Sequence, residues 1–177
     1  MIEYNIKFKK LRDSNEHYLK LYNWCQNKDV YEWFEQRKLS YDEIVNKYKK
    51  KLIDKIEDLY IVMLDNNDIG LVQVYKFNND ININLDKYKN IYEYDIFIGD
   101  SDYLNKGIGK KIVSKTNDYI YSKYDADAII LRPFERNIRA IKCYQKSSFE
   151  IIYKYMSEDT LGNKETIILM INTRIKQ

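Results

Sequence analysis

Positions 2–11 alternate between apolar and polar residues and read as a β-strand. The period then lengthens. Tyr18, Leu21, Tyr22 and Trp24 fall at near-helical spacing within Ser14–Trp24. A second helix is expected from Ser40, where Ser40 and Glu43 form a capping box ahead of an Ile44, Val45, Tyr48, Leu52 stripe. Leu59–Leu64 is strand-like, Asn66-Asn67-Asp68 supplies a turn and Ile69–Phe77 returns, so the pair reads as a hairpin. A polar segment, Asn78–Asn90, precedes a strand over Tyr92–Ile98 and a polar bend over Asp100–Asn105. From Gly107 a helix is expected to about Lys123, with Ile112, Val113, Thr116, Tyr119 and Ile120 on one face. Ala126–Leu131 is a short apolar strand, and Asn137–Lys146 a helix with Ala140, Ile141 and Tyr144 inward. Phe149–Tyr155 and Glu165–Ile171 close the chain as strands joined at Gly162-Asn163. The order is strand, two helices, three strands, helix, strand, helix, two strands. That is a mixed α/β fold around one sheet, in a single domain spanning residues 1–177 with no repeat or linker.

Composition narrows the function mainly by exclusion. With 45% apolar and 32% charged residues the chain has the profile of a soluble globular protein. A net charge of only +3 gives no bulk basic excess for nucleic acid. Cys25 and Cys143 make no disulfide framework, and His17 has no Cys or His neighbour, so no metal site is expected. The start MIEYNIKFKKL lacks the apolar core of a signal peptide, and no stretch approaches the roughly 20 apolar residues of a membrane span. The expectation is a cytoplasmic protein without membrane or nucleic-acid partners, as monomer or homodimer.

The most informative stretch is Leu104-Asn105-Lys106-Gly107-Ile108-Gly109-Lys110, which follows the strand Tyr94-Asp95-Ile96-Phe97-Ile98. A strand ends, the chain bends and a Gly-x-Gly opens a helix. Glycines there let an anion approach the backbone, and the free amides at the positive end of the helix hold it. Between Tyr103 and Lys146 ten Lys/Arg face four Asp/Glu, a balance suited to a ligand with several phosphates. A Gly-x-Gly alone is equally a turn before an amphipathic helix with a solvated basic face. A Walker A loop is excluded by its missing Gly-Lys-Ser/Thr, and a dinucleotide fingerprint by its missing third glycine.

The segment Pro133-Phe134-Glu135-Arg136-Asn137-Ile138-Arg139-Ala140-Ile141-Lys142-Cys143-Tyr144-Gln145-Lys146-Ser147-Ser148-Phe149, taken with the Gly-x-Gly turn, resembles the GNAT acetyltransferase superfamily, whose pattern here is Asn-x-x-Ala-x-x-x-Tyr-x-x-x-Gly-Phe. Ser148 stands where glycine is usual. From about Leu11 to Ile171 the chain is further similar to the aminoglycoside 6′-N-acetyltransferases, through Leu21-Tyr22-Asn23-Trp24, Ile69 to Lys76, Asp95 to Gly99, Lys106 to Gly109 and Arg139-Ala140-Ile141. That resemblance implies one mostly antiparallel sheet with flanking helices and a splayed parallel strand pair at the cofactor site. It implies acetyl-CoA as cosubstrate, bound by Ile96, Phe97, Ile98, Lys106, Gly107, Ile108, Gly109, Lys110, Asn137, Ala140, Tyr144 and Lys146. It implies Asp95 as the acid beside the acceptor amine and Tyr144 near the sulfur of acetyl-CoA. Arg132-Pro133 stands where the family segment usually reads Asp-Pro, which puts an arginine in place of an acid that helps to hold the cationic drug.

An amine attacks a thioester only when neutral, and a lysine-like amine of pKa about 10.4 pays roughly 4–5 kcal/mol for that at pH 7. A carboxylate that accepts its proton supplies the difference, which makes Asp95 the candidate base. Tyr144 is the candidate acid for the leaving thiolate. The acceptor, a small amine expected to be a cationic aminosugar, would meet Trp24, Gln73, Tyr75, Glu93, Asp95 and Arg132, with Tyr31, Trp33 and Phe34 as further aromatic candidates. Core packing is the alternative for these aromatics, and the preferred one for Trp24. Six acids against two lysines between Asp80 and Asp102 would draw a polycation. The competing functions are a related enzyme acting on a polyamine, a siderophore precursor or a protein N-terminus, and a non-catalytic acyl-CoA-binding module.

Overall fold

The computed structural model describes residues 4–174; the start of the expected first strand, residues 2 and 3, lies outside them. Seven strands form one sheet in the order β1-β2-β3-β4-β5-β7-β6. The strands are β1 (Ile6–Lys10), β2 (Glu57–Leu64), β3 (Asn67–Lys76), β4 (Ile91–Ile98), β5 (Ala128–Leu131), β6 (Glu150–Glu158) and β7 (Lys164–Thr173). The helices are α1 (Asn15–Cys25), α2 (Lys28–Phe34), α3 (Tyr41–Asp54), α4 (Ile108–Tyr124) and α5 (Ile138–Gln145). All neighbouring strands are antiparallel except β4 and β5, which run parallel. The mixed fold and the splayed pair are therefore as expected.

One element escaped the hydrophobic pattern. Three helices, not two, separate β1 from β2, because α2 forms over Lys28–Phe34. Its seven residues are too few to establish a period, and its start is marked only by Asn27, whose side chain accepts from the Asp29 amide. The β2–β3 turn is also shifted. Asp65 and Asn66 both take positive φ, 49° and 70°, and Leu64 pairs with Asn67. These are the dihedral signs of a two-residue type I′ turn, which Asp and Asn tolerate. At Ser40 the capping box is complete: Glu43 N–H donates to Ser40, and Ser40 N–H to the Glu43 carboxylate.

The sheet is covered on both faces. Val72, Val74, Tyr94, Ile96 and Ile98 point to α4 and α5, and pack with Ile108, Ile112, Val113 and Ile120. Leu59, Ile61, Leu71 and Phe97 point the other way, into a cluster with Leu21, Trp24, Ile44 and Tyr48 from α1 and α3. On that second face a separate cluster of Ala128, Ile130, Leu169 and Ile171 is roofed by Phe77, Ile81, Ile83 and Leu85 from the β3–β4 connection.

Strand alternation leaves a polar strip between the two clusters on this second face. Leu71, Gln73, Tyr75 and Phe77 lie on one side of the β3 line, and Ile91, Glu93, Asp95 and Phe97 on one side of β4. The outer members of each set belong to the clusters, and the inner members, Gln73 opposite Asp95 and Tyr75 opposite Glu93, form the strip.

Ser148, which replaces the usual glycine, sits at φ 64°. A Cβ in the left-handed region costs roughly 1–2 kcal/mol. Ser148→Gly relieves that strain at some cost in unfolded-state entropy, so thermal denaturation should show a rise of about 2–4 °C per net kcal/mol. A lowered midpoint would show that the backbone there is not strained.

Candidate active site

The parallel pair supplies the cleft. β4 and β5 pair only from Ile91 to Glu93 against Ala128 to Ile130. Beyond that the strands diverge, and Tyr94–Ile98 has no strand on this side. The gap opens into a cavity of about 380 Å³, walled by Ile96, Phe97 and Ile98 of β4, by the α4 N-terminus, and by Ala140, Cys143 and Tyr144 of α5.

The α4 N-terminus suits an anion. Gly107 is its N-cap at φ 74° and provides no side-chain cap, so among the described residues no side chain closes the first amides of the helix. Gly109 follows as the second residue of the helix, where an added Cβ would lie 3.4 Å from Cys143 Sγ. Lys110 and Lys146 line the same cavity with Asn137. Lys106 is exposed beside it, whereas Ile108 is buried in the core and does not line the cavity. The Asn137 carboxamide oxygen accepts from Ala140 N–H at 3.1 Å, capping α5. These open amides and lysines fit the phosphates and pantetheine arm of acetyl-CoA.

The hydrophobic pattern also missed a wall of the cavity. Asp29, Val30, Trp33 and Phe34, all from α2, line it opposite α5. Arg139 reaches across to Asp29 at 2.9 Å, Arg136 stacks 4.7 Å from the Trp33 ring, and Thr160 Oγ1 donates to the Glu35 carbonyl. α2 is thus tied over the cleft from both α5 and the β6–β7 turn. The signal that could have found it is the Asn27 cap followed by Val30, Trp33 and Phe34 at i, i+3, i+4 spacing.

The polar strip brings together most of the expected acceptor residues. The Tyr75 hydroxyl donates to Asp95 Oδ2 at 3.2 Å. Gln73 is buried and accepts from Lys51 Nζ at 2.9 Å, while Lys51 also pairs with Glu57 at 2.6 Å. Burial raises the Asp95 pKa, against the opposing pull of Lys51 and the Tyr75 hydrogen bond. Asp95 and Ile96 are chain neighbours on opposite faces of β4, so the carboxylate lies in the polar strip while the next residue walls the cavity. Trp24 is different: it is 8% exposed and packed on Phe97 with ring centroids 6.1 Å apart. A Cβ on Gly99 would fall 2.1 Å from Trp24 Cγ, so Gly99 is the residue that lets this ring in. An acceptor would not reach Trp24 without opening that packing.

Arg132 does not line the cavity, and the nearby Glu135 pairs with Lys154 rather than with it. Its Nε donates to Glu93 Oε1 at 2.7 Å and its Nη1 to Asp80 at 3.0 Å. Burial pushes Glu93 up to about 7 even though Arg132 pulls the other way. At Tyr144, partly buried in the cavity wall, desolvation raises the phenol above its usual value, with Cys143 and Asp95 adding to the effect.

Among the described residues no group of His, Cys, Asp and Glu could hold a metal ion, and no helix is long and apolar enough to cross a membrane.

Comparison with known proteins agrees with this geometry. Residues 13–155 match the family model described as an acetyltransferase (GNAT) domain. Aminoglycoside N(6′)-acetyltransferase type 1 of Klebsiella pneumoniae is 27% identical over 146 residues, 79% of this chain and 73% of the relative. Spermidine N(1)-acetyltransferase of Vibrio cholerae is 24% identical over 131 residues, 73% of this chain and 70% of the relative. In fold, the chain is similar to aminoglycoside acetyltransferase AAC(6′)-Ib in complex with coenzyme A, with a TM-score of 0.80 at 21% identity over 96% of this chain and 95% of that one. The spermidine N-acetyltransferase of Vibrio cholerae in complex with CoA and spermine gives 0.77 at 20%, over 97% and 96%. A family match across most of the chain, on a sheet that splays where the family resemblance requires it to, shows that this protein belongs to the GNAT acetyltransferases.

Proposed function

We propose that this chain transfers an acetyl group from acetyl-CoA to the primary amine of a small acceptor, with the 6′-amine of an aminoglycoside as the leading candidate. The observation that carries the reading is the position of Asp95. It is a desolvated carboxylate in the polar strip between the two apolar clusters, one residue from the Ile96 wall of the cavity and hydrogen-bonded by Tyr75. A carboxylate whose pKa is raised takes a proton from an ammonium more readily than an ordinary aspartate does.

In this scheme the open amides at Gly107–Gly109 and Lys110 hold the pyrophosphate, and β4 and α5 enclose the pantetheine arm. Asp95 binds the ammonium and accepts its proton. Tyr144 faces the sulfur. A phenol raised above 10 loses about 2 kcal/mol or more by protonating a thiolate of ordinary pKa near 8.5. Tyr144 therefore acts chiefly as a hydrogen-bond donor to the developing thiolate. A hydrogen bond to a charged group contributes about 1.5–3 kcal/mol. Tyr144→Phe should thus lower kcat about ten- to a hundredfold while acetyl-CoA affinity, read by calorimetry, stays nearly constant. Equal loss in both would make Tyr144 a binding residue only.

A second reading, acetylation of a polyamine, is favoured by Arg132. Its guanidinium neutralises Glu93 and Asp80, two of the acids that would otherwise hold the remote ammonium groups of an aminoglycoside. Asp95 is left as the acid open to a single ammonium. Comparing kcat/KM for kanamycin-type aminoglycosides and for spermidine separates the two. Preference for the drug supports the leading reading, and spermidine turned over more efficiently replaces it.

A further inference from the structure

Glu93 is the least explained residue of the polar strip. Its side chain is 4% exposed, and only one of its carboxylate oxygens is used: Oε1 accepts from Arg132, while Oε2 is buried and makes no hydrogen bond among the described residues. An orphaned buried acceptor costs about 1–3 kcal/mol unless it carries a proton or finds a donor. Tyr75 lies directly opposite Glu93 in the β3–β4 register, and the Tyr75 hydroxyl already donates to Asp95. Glu93 and Asp95, two residues apart on one face, are about 6.5–7 Å apart along the strand, with the hydroxyl between them. One hydroxyl therefore stands between two carboxylates, one of which has an oxygen with nothing bonded to it.

We propose that Tyr75 and Glu93 form a proton relay that returns Asp95 to its basic form by passing its proton toward solvent at Asp80. The relay rests on the acetyl-transfer reading. In each turnover the acceptor ammonium gives one proton to Asp95. The freed nitrogen lone pair makes the C–N bond as the C–S bond breaks, and the second N–H proton ends on the thiol sulfur. One proton is thus left on Asp95 and has to leave for solvent. The Tyr75 hydroxyl accepts it and passes its own proton to Glu93 Oε2. Glu93 then loses it to solvent on the side where Arg132 joins it to the half-exposed Asp80.

The surroundings suit a shuttle. Glu93 is faced by Tyr75 from β3, Asp95 from its own strand and Arg132 from the end of β5, and Arg132 in turn meets Asp80 from the β3–β4 connection at 3.0 Å and the Tyr155 hydroxyl from β6 at 3.5 Å. Burial against these charges holds Glu93 near neutrality, where a carrier both takes and gives a proton. Lys51 and Glu57 bear on Asp95 from α3 and β2 and leave Glu93 to Arg132.

The test has one arm that needs no acceptor. Carboxyl carbon NMR of glutamate-labelled enzyme should show one glutamate titrating near neutral pH, absent in Glu93→Gln, with its midpoint moved upward in Tyr75→Phe. In turnover, Glu93→Gln keeps the shape and the Arg132 contact and should lower kcat about tenfold. Tyr75→Phe should do the same, and the double variant should be no slower than either single one, because the two lie in series. Added imidazole buffer should restore part of each loss. A glutamate signal indifferent to Tyr75→Phe, a Glu93→Gln variant with wild-type kcat across the pH range, or multiplicative losses in the double variant would each overturn the relay. Failure of the wild-type protein to acetylate any amine would overturn the transfer reading instead, and the NMR arm distinguishes the two failures.

Discussion

Asp95→Asn should lower kcat/KM for the acceptor by about a hundredfold to ten-thousandfold near pH 7, the range a well-placed general base contributes. The defect should shrink as pH rises. In the wild-type protein the rate climbs as Asp95 ionises and then levels, because the carboxylate can unload the ammonium. Burial raises the Asp95 pKa, so this acid limb lies above the range of an ordinary aspartate, and activity is lost as pH falls through it. The asparagine variant has no base and depends on free amine. Its rate should continue to rise about tenfold per pH unit up to the acceptor's own pKa, about 10.4 for a lysine-like amine. The two pH profiles, measured with one acceptor at several pH values, decide the matter. A pH-independent loss would make Asp95 a positioning group. Thermal unfolding and acetyl-CoA binding should be little changed, since Asp95 does not line the cavity proposed for the cofactor and adjoins it only through Ile96.

Gly109→Glu should abolish cofactor binding. Its Cβ would meet Cys143 Sγ at 3.4 Å, an ordinary contact, so the backbone tolerates a side chain and the effect is one of charge. A carboxylate at the mouth of the α4 amides opposes a pyrophosphate about 4 Å away by roughly 4 kcal/mol at a partly screened surface. That is a loss of several hundredfold in affinity. The readout is the stabilisation by acetyl-CoA, about 2.7 kcal/mol for the wild-type protein at a hundred times its dissociation constant. The shift should vanish in Gly109→Glu and largely survive in Gly109→Ala. A shift retained in the glutamate variant would move the cofactor away from α4.

Much of this was legible in the residues because it depends on local order. The strand over Tyr92–Ile98 was legible in the residues, and Asp95 was singled out on it by the family resemblance. The Gly-x-Gly at the end of a strand marked an open helix N-terminus, and Gly107 does occupy a left-handed N-cap there. What stayed hidden depends on distant pairings. Arg132 meets Glu93 and Asp80, 39 and 52 positions away, so nothing local announces that its charge is already matched. The same pairing changes the sense of restoring the family acid: Arg132→Asp would leave Glu93 buried beside two carboxylates without its cation. Trp24 was equally ambiguous, since a helix stripe does not say whether its aromatic meets a ligand or Gly99. α2 was lost to brevity, and with it one wall of the cavity.

The most direct test of the central claim is amine-dependent release of free coenzyme A from acetyl-CoA by the purified protein, followed together with the mass of the acceptor. The structure predicts thiol release only when a primary amine is present, one equivalent per acetylated product, and its loss in Asp95→Asn at neutral pH. Thiol release independent of any amine, or none across aminoglycosides, polyamines and simple primary amines while acetyl-CoA still binds, would contradict it.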